Sequence, residues 1–240
     1  MSGHSKWNNI KHKKEKTDAQ RAKVFTKVGK EMAVAVKEGG PDPVSNSKLA
    51  ALIAKAKTLN VPNDNIDRII KKASSADAAD YEEITYEGYG PAGIAFIVQA
   101  TTDSRNRTAG NVRHYFDKFG GNLGTVGCVS FLFEDKGLII IEREDVDEDQ
   151  LMEDALEAGA SDFAAEDEAF EIYTEVDDVA AVAKALSDKG YTYLSAEADK
   201  IPSSYVTVTD EEAVTNMNKL IDALEDDDDI TAFFHNWEEA

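Results

Sequence analysis

The chain has 240 residues and a formal net charge of −21, from 47 Asp and Glu against 26 Lys and Arg. A hydrophobic content of 42% is enough for packed cores, and this length suits two or three domains. No segment approaches the roughly 18 consecutive apolar residues of a membrane span, the N-terminus is too polar for a secretory signal, and a single cysteine, Cys128, excludes an internal disulfide or a Cys-rich zinc site. We therefore expect a cytoplasmic protein without a membrane partner, metal, cofactor or small-molecule substrate.

Charge is distributed unevenly along the chain. Residues 1–72 carry 16 Lys and Arg against 7 Asp and Glu, a net charge of +9, whereas residues 73–240 carry 10 against 40, a net charge of −30. Such a reversal of sign predicts that the N-terminal end meets a polyanion, most often nucleic acid. The alternative is a solvated basic tail.

Residues 1–16 have no apolar periodicity and are predicted to form a basic arm. This arm contains Trp7 and Ile10, which a tail that only aids solubility does not need. The rings of Trp7, His4 and His12 can stack on bases or lie along a sugar-phosphate backbone. The arm therefore suits nucleic acid better than it suits a plain tail.

A helix is predicted to begin at Thr17 or Asp18, with Gln20 as capping-box partner. Its apolar residues recur at steps of three and four: Phe25, Val28, Met32 and Val36. Three lysines fall on the opposite side and predict an exposed lysine face: Lys23, Lys27 and Lys30. Two more helices, near 46–59 and 64–73, complete a predicted helical domain over residues 17–75.

The pattern then changes to mixed α and β. Strands are predicted near 84–87 and 94–100, a helix over 104–119, and a hairpin of strands 129–133 and 137–141. From 137–143 onward the predicted order is β-α-β-β-α-β, the ferredoxin-like arrangement. Strands near 205–209 and 230–235, separated by a helix over 210–224, are predicted to join the sheet of the earlier strands.

The predicted fold class is α+β, with an N-terminal three-helix domain followed by two interleaved α/β domains, at least one of them ferredoxin-like. The predicted segments are a basic arm at 1–16, a helical domain at 17–75, a discontinuous α/β domain at 81–134 plus 203–240, and an inserted ferredoxin-like domain at 135–202.

A second basic site is predicted where the helix at 104–119 begins. Arg105 and Arg107 lie in its first turn, where cations oppose the helix dipole. Free amides and two guanidinium groups could hold phosphate there. Alternatively, both arginines pair with carboxylates of this acidic half, and the spacing alone does not decide between the two.

Patterns typical of enzymes are absent from the sequence. The glycines at 120–127 follow a helix and lack the Gly-Lys-Ser/Thr of a phosphate loop. The acidic run at 145–149 lacks the glycine and glutamate that a calcium loop needs, and the run 226–229 is interpreted as a solvated loop, with a weak magnesium site as a minor alternative. No nucleophile motif is present; with 47 acidic residues a paired-carboxylate hydrolase stays open as an alternative, although nothing in the sequence singles out a pair.

Several motifs spread over the whole chain resemble the YebC/PmpR family. They are GHSKW (3–7), IKHKK (10–14), VFTK (24–27), YEGYGP (86–91), DSRNRT (103–108), GGNLG (120–124), ALEAGA (155–160) and IP (201–202). The resemblance implies a helical domain followed by two interleaved α/β domains and no enzymatic activity. It also implies either a DNA-binding transcriptional regulator or a translation factor at the ribosome, in some members one that relieves stalls at proline-rich stretches.

Both functions require a surface that faces phosphate. The predicted nucleic-acid-binding residues are His4, Lys6, Trp7, Lys11, His12, Lys13, Lys14, Lys16, Arg21, Lys23, Lys27, Lys30, Arg105, Arg107, Arg113 and His114. The chemistry of the arm favours ribosomal RNA over double-stranded DNA, because no recognition helix is evident. The predicted oligomeric state is a monomer or a weak dimer.

Overall fold

The computed structural model describes residues 18–75 and 78–238, with side chains from Ala22 onward. The chain divides into two compact units, one of residues 133–203 and the other of the described residues up to 132 and from 204 onward. None of the described helices has the length and apolar character required to cross a bilayer.

The second unit begins with three helices, α1 (Asp18–Gly39), α2 (Ser47–Thr58) and α3 (Asn63–Ala73). The predicted apolar stripe of α1 meets those of α2 and α3 in one core, whose buried members include Val28, Met32, Leu49, Ala56 and Ile66. The Asn46 side chain caps α2 by accepting a hydrogen bond from the Leu49 amide. The predicted helical bundle is therefore confirmed; Thr17 and the side chains of Asp18 and Gln20, named for the α1 cap, lie outside the described residues.

An antiparallel sheet follows in the same unit, with the order β3-β1-β2-β9. Its strands are β1 (Glu82–Tyr89), β2 (Ala95–Thr102), β3 (Asn122–Leu123) and β9 (Ile230–His235). Two helices, α4 (Arg105–Lys118) and α7 (Glu211–Asp226), contribute to its core with Phe116 and Leu220 packed near Phe96. The strand from the C-terminal segment thus completes the sheet beside β2, as expected.

The predicted strand at 205–209 does not join that sheet. Only β8 (Val206–Thr207) forms there, and it pairs in parallel with β10 (Trp237–Glu238). The Val206 amide donates to the Asn236 carbonyl at 2.8 Å, so this short strand is held by the C-terminal segment.

The unit of residues 133–203 is the ferredoxin-like one. It runs β4 (Phe133–Glu142), α5 (Glu148–Ala158), β5 (Asp162–Ala165), β6 (Ala169–Thr174), α6 (Val179–Asp188) and β7 (Tyr193–Pro202). The antiparallel strands have the order β5-β6-β4-β7, which is the ferredoxin-like arrangement. Alternate residues of β4, such as Ile139 and Ile141, point toward the two helices and pack with Leu151 and Leu186.

The predicted hairpin of 129–133 and 137–141 is wrong. Residues 130–132 form a single 3₁₀ turn, and Phe133–Glu142 is one continuous strand between β6 and β7. Gly137, predicted as the first residue of the second strand, lies inside β4, where an added Cβ would lie 2.7 Å from Val179 Cβ. Glycine is required at this position because any side chain would clash with the neighbouring residues, and close approach of neighbouring groups is a known reason for glycine inside a strand.

Candidate nucleic-acid interface

The basic arm lies outside the described residues. This applies to His4, Lys6, Trp7, Lys11, His12, Lys13, Lys14 and Lys16, and to the side chain of Arg21. Their role in binding stays a prediction. The remaining candidates, three lysines of α1 and four residues of α4, all lie in the unit that contains the helical bundle.

The lysine row of α1, which is Lys23, Lys27 and Lys30, does lie along one side of the helix. That side is not the exposed face that was predicted, because it contacts the C-terminal end of α7. Lys23 Nζ donates to Asp226 Oδ1 at 2.8 Å, Lys27 Nζ to the Glu225 carbonyl at 2.6 Å, and Lys30 Nζ to the Asp228 carbonyl at 2.9 Å. Each lysine therefore already has an oxygen partner from the same chain.

Helix chemistry explains this contact. The last carbonyls of a helix have no partner within it, and its C-terminal end carries partial negative charge. Helix α7 ends at Asp226, and the next residue, Asp227, has extended backbone angles. The helix therefore lacks the left-handed residue whose backbone amide often donates to such carbonyls. Ammonium groups from α1 supply the missing donors and the favourable charge.

Asp229 is the centre of the contact. Its side chain is 6% exposed, and its Oδ1 accepts from Lys30 Nζ at 2.7 Å. Its Oδ2 accepts from Arg107 Nη2 at 2.7 Å and from Thr108 Oγ1 at 2.9 Å. Burial alone would raise the pKa of Asp229, but the hydrogen bonds from Lys30, Arg107 and Thr108 outweigh it and lower the pKa to about 2.

Asp227 is also bound by neighbouring side chains. Its Oδ2 accepts from Asn111 Nδ2 at 3.1 Å and from the Tyr115 hydroxyl at 2.9 Å. Burial and this carboxylate together raise the pKa of Tyr115 to about 12. The interpretation of 226–229 as a solvated loop is therefore wrong for Asp227 and Asp229. Within the described residues no group of His, Cys, Asp or Glu side chains is arranged to hold a metal ion.

Arg105 and Arg107, the predicted second basic site, form ion pairs with carboxylates of the same chain. Arg105 Nη2 lies 2.6 Å from Glu82 Oε2, and Arg107 Nη2 lies 2.8 Å from Asp103 Oδ1 in addition to its contact with Asp229. The spacing left two alternatives, a phosphate site or ion pairs with carboxylates, and the structure has the ion pairs. Both side chains remain about half or more exposed, at 63% and 49%, so a phosphate could still approach them.

The cleft beside these residues is not suited to phosphate. It has a volume of about 390 Å³ and is lined by Lys30, Arg107, Asn111 and the aspartates 226–229. Two cations against four carboxylates leave a net negative lining, which repels an anion.

Arg113 and His114 of α4 are exposed, and they remain candidate contacts.

The architecture defines a class before any comparison is made. This is an α+β protein in which a helical bundle precedes two antiparallel sheets, one of them ferredoxin-like, and in which positive charge is concentrated in the first 72 residues. Residues 5–76 match the family model described as "TACO1/YebC protein N-terminal domain", and residues 81–237 match "TACO1/YebC second and third domain". The chain belongs to the TACO1/YebC family.

Individual relatives agree with this assignment. A protein of Acetivibrio thermocellus is 59% identical over 239 residues, 99% of each chain, and one of Agathobacter rectalis is 57% identical over 242 residues, the full length of both. Both are named "Probable transcriptional regulatory protein". The crystal structure of the conserved hypothetical protein Aq1575 from Aquifex aeolicus is similar with a TM-score of 0.85 and 43% identity, covering 94% of this chain and 93% of that one.

Proposed function

We propose that this protein is a non-enzymatic regulator of gene expression that binds nucleic acid and acts at the ribosome, through ribosomal RNA, as a translation factor. The observation that carries the proposal is the separation of charge, +9 over residues 1–72 and −30 over the rest. A basic leading end attracts a phosphate-rich surface, and an acidic remainder is repelled from it. The molecule would therefore approach RNA in one orientation.

The arm supports RNA as the target. Ribosomal RNA presents unpaired bases on which Trp7, His4 and His12 could stack, whereas duplex DNA offers such rings few exposed base faces. The family resemblance adds relief of stalling at proline-rich stretches as the form of translation activity to test.

The described candidate residues differ in how readily their charged groups could contact a phosphate. Arg113 and His114 are exposed and could meet phosphate directly. The lysine row of α1, Arg105 and Arg107 would have to exchange a carboxylate or carbonyl oxygen for a phosphate oxygen, which reduces the net gain from each contact.

A DNA-binding transcriptional regulator is the second candidate function. The names of the relatives from Acetivibrio thermocellus and Agathobacter rectalis favour it. Such a protein would need side chains that reach base edges in a groove, usually from a dimer that spans two half-sites.

Sedimentation of cell lysate through sucrose at low and high salt, with and without nuclease, tests both functions. We expect co-migration with ribosomes that is lost when Lys11, Lys13 and Lys14 are replaced by Glu. The matched control replaces Lys136, Lys184 and Lys219 by Glu, which changes the total charge equally outside the arm, and it should still co-migrate. Faster synthesis through a proline-rich reporter should follow the same pattern.

Two other outcomes would change the conclusion. A discrete footprint on promoter DNA at physiological salt, without ribosome association, supports the DNA-binding function instead. A binding constant for RNA and DNA that does not respond to salt would contradict both, because phosphate contacts release counterions.

A further inference from the structure

The cations of the helical bundle divide into two groups in the described residues. One group is bound by oxygen atoms of the same chain: Lys23, Lys27, Lys30, Lys37, Lys48 and Lys55. The other group is exposed and forms no ion pair with any described residue: Lys57, Arg68, Lys71 and Lys72. Three of these four lie on α3.

The three cations of α3 share one side of the helix. At 100° per residue, Arg68, Lys71 and Lys72 fall within an arc of about 100°. This arc lies opposite Ile66, Ile69 and Ile70, which pack into the bundle core. We call Arg68, Lys71 and Lys72 the α3 basic face.

Among the described residues, the neighbours of this face compensate its charge only in part. Arg68 donates a hydrogen bond to Asn65 Oδ1, one turn earlier, which is a neutral partner. Asp64 and Asp67 lie four residues before Arg68 and Lys71, a spacing at which opposite charges on a helix attract weakly, but no described ion pair joins them. A favourable interaction with the helix dipole accounts for Lys71 and Lys72 in the last turn but not for Arg68.

The lysine row of α1 differs from the α3 basic face in the charges that surround it. Its three ammonium groups face the carboxylates and carbonyls at the end of α7, so the positive field of α1 is largely cancelled there. In the part of the chain that the structure describes, the side chains of the α3 basic face are exposed and form no ion pair. A phosphate that approaches the bundle gains most from the cations that need not first give up a carboxylate.

We propose that the α3 basic face contacts the phosphate backbone of RNA. This proposal rests on the proposed function and identifies a surface for it that sequence analysis did not include. The face consists of cations, which bind phosphate chiefly through charge, so it would hold the backbone rather than read bases. It therefore positions the molecule on structured RNA and leaves base contacts to other segments.

The test uses the full-length chain with Arg68, Lys71 and Lys72 all replaced by Gln. Its binding to purified ribosomes, to a fluorescein-labelled RNA stem-loop and to a labelled DNA duplex is titrated over a range of salt concentrations. Each phosphate contact contributes about 0.7 to the slope of log K against log salt for single strands and about 0.9 for a duplex, so the slope should shrink by about two to three. The affinity at low salt should fall at least tenfold.

Two variants serve as controls. Replacement of Lys136, Lys184 and Lys219 by Gln removes the same charge elsewhere and should leave the slope unchanged. Replacement of Arg68 by Lys, with Lys71→Arg and Lys72→Arg, keeps the charge of the α3 basic face and should keep the slope, which separates phosphate contact from a change in helix stability.

The outcomes distinguish this proposal from the one it rests on. If the wild-type chain binds RNA and the Gln variant binds it with the same affinity and slope, the α3 basic face is not a contact and the proposed function stands. If the Gln variant loses affinity only for duplex DNA, the assignment to RNA is overturned. If the wild-type chain binds neither ribosomes nor the stem-loop, the proposed function and this proposal both fail.

Discussion

Asp229 shows how one residue can connect distant parts of the chain. Its carboxylate receives hydrogen bonds from Lys30 of α1 and from Arg107 and Thr108 of α4 while it is 4% exposed. A buried carboxylate is costly unless it is paired and hydrogen-bonded, and here both oxygens are. Lys30 is nearly as buried, with 12% of its side chain exposed, so loss of Asp229 would leave a buried ammonium without its charge partner.

We predict that Asp229→Asn lowers the free energy of unfolding by about 3 kcal/mol, since removal of one partner from a buried ion pair typically costs about 3–5 kcal/mol. The control is Asp228→Asn, whose side chain is exposed and whose contact with Lys30 uses the backbone carbonyl; it should change stability by less than about 0.5 kcal/mol. Urea unfolding followed by circular dichroism measures both. Equal effects of the two substitutions would contradict the role assigned to Asp229.

His235 is a buried ionisable residue with a different role. It lies on β9 with its ring 5.4 Å from that of Phe96, and its Nδ1 accepts a hydrogen bond from the Trp237 amide at 3.3 Å. Burial lowers the pKa of His235 from 6.5 to about 4. The folded protein therefore keeps this imidazole neutral at pH values where the unfolded chain protonates it.

We predict that stability falls as the pH is lowered from about 6.5 to about 4, because the unfolded state binds a proton there that the folded state does not. The loss is on the order of 3 kcal/mol at about 1.4 kcal/mol per pKa unit. His235→Phe, which keeps a ring of similar shape, should reduce this slope, and the lowered pKa values of Asp229 and Glu87 account for the part that stays. Urea unfolding at several pH values gives the comparison, and an unchanged slope in His235→Phe would refute it.

At the scale of elements, Glu87 of β1 organises the segment between β3 and β4. Its buried carboxylate accepts hydrogen bonds from the backbone amides of Gly127 at 2.8 Å and of Val129 and Ser130 at 2.9 Å each. Burial raises the pKa of Glu87, but these three amides lower it by more, and the pKa lies below its ordinary value. Residues 124–127 were predicted only as turns and 129–133 as a strand, since a partner about forty residues away leaves no local pattern.

We predict that Glu87→Gln increases amide hydrogen exchange over residues 124–132 at least tenfold. The amide group offers one acceptor oxygen where the carboxylate offers two, and hydrogen bonds to charged groups contribute about 1.5–3 kcal/mol each. Mass spectrometry of exchanged peptides measures this, with Glu83→Gln on the same strand as the control. Exchange that rises equally in both variants, or in neither, would contradict the prediction.

Two glycines show why some boundaries of helices and strands were predicted correctly and others were not. Gly120 has a φ of 84° and ends the predicted helix as expected. Gly137 has no such backbone requirement; it lies within β4 because Thr174 and Val179 leave no room for a Cβ. The predicted hairpin was wrong for another reason: residues 134–136 were given to a turn, whereas they continue the strand Phe133–Glu142.

At the scale of the whole molecule, the unit of residues 133–203 begins and ends at one place. Phe133 on β4 pairs directly with Pro202 on β7, and paired residues of antiparallel strands have Cα atoms about 5 Å apart. The flanking chain needs only a short connection if this unit is removed. The predicted domain boundaries at 135 and 202 can be tested in this way.

We predict that replacement of residues 133–203 by a short Gly-Ser linker leaves the remaining chain folded. The core around Phe96, Phe116 and Leu220 comes entirely from the residues that remain. The variant should unfold cooperatively and should retain the amide protection of β1, β2 and β9, measured by hydrogen exchange against the full-length chain. Global loss of protection in those strands would show that the inserted unit is required for folding.

The sequence by itself determined the order of the elements apart from the strand predicted at 129–133, the apolar faces of the helices, the ferredoxin-like arrangement of 133–203, the family and the separation of charge. These depend on neighbours within a few residues or on the sum of charges, which are visible along the chain. Only the tertiary structure decided which cations are engaged and which are exposed. Lys30 and Asp229 lie 199 residues apart, and whether a lysine meets a carboxylate or solvent depends on distance in space, which periodicity does not encode.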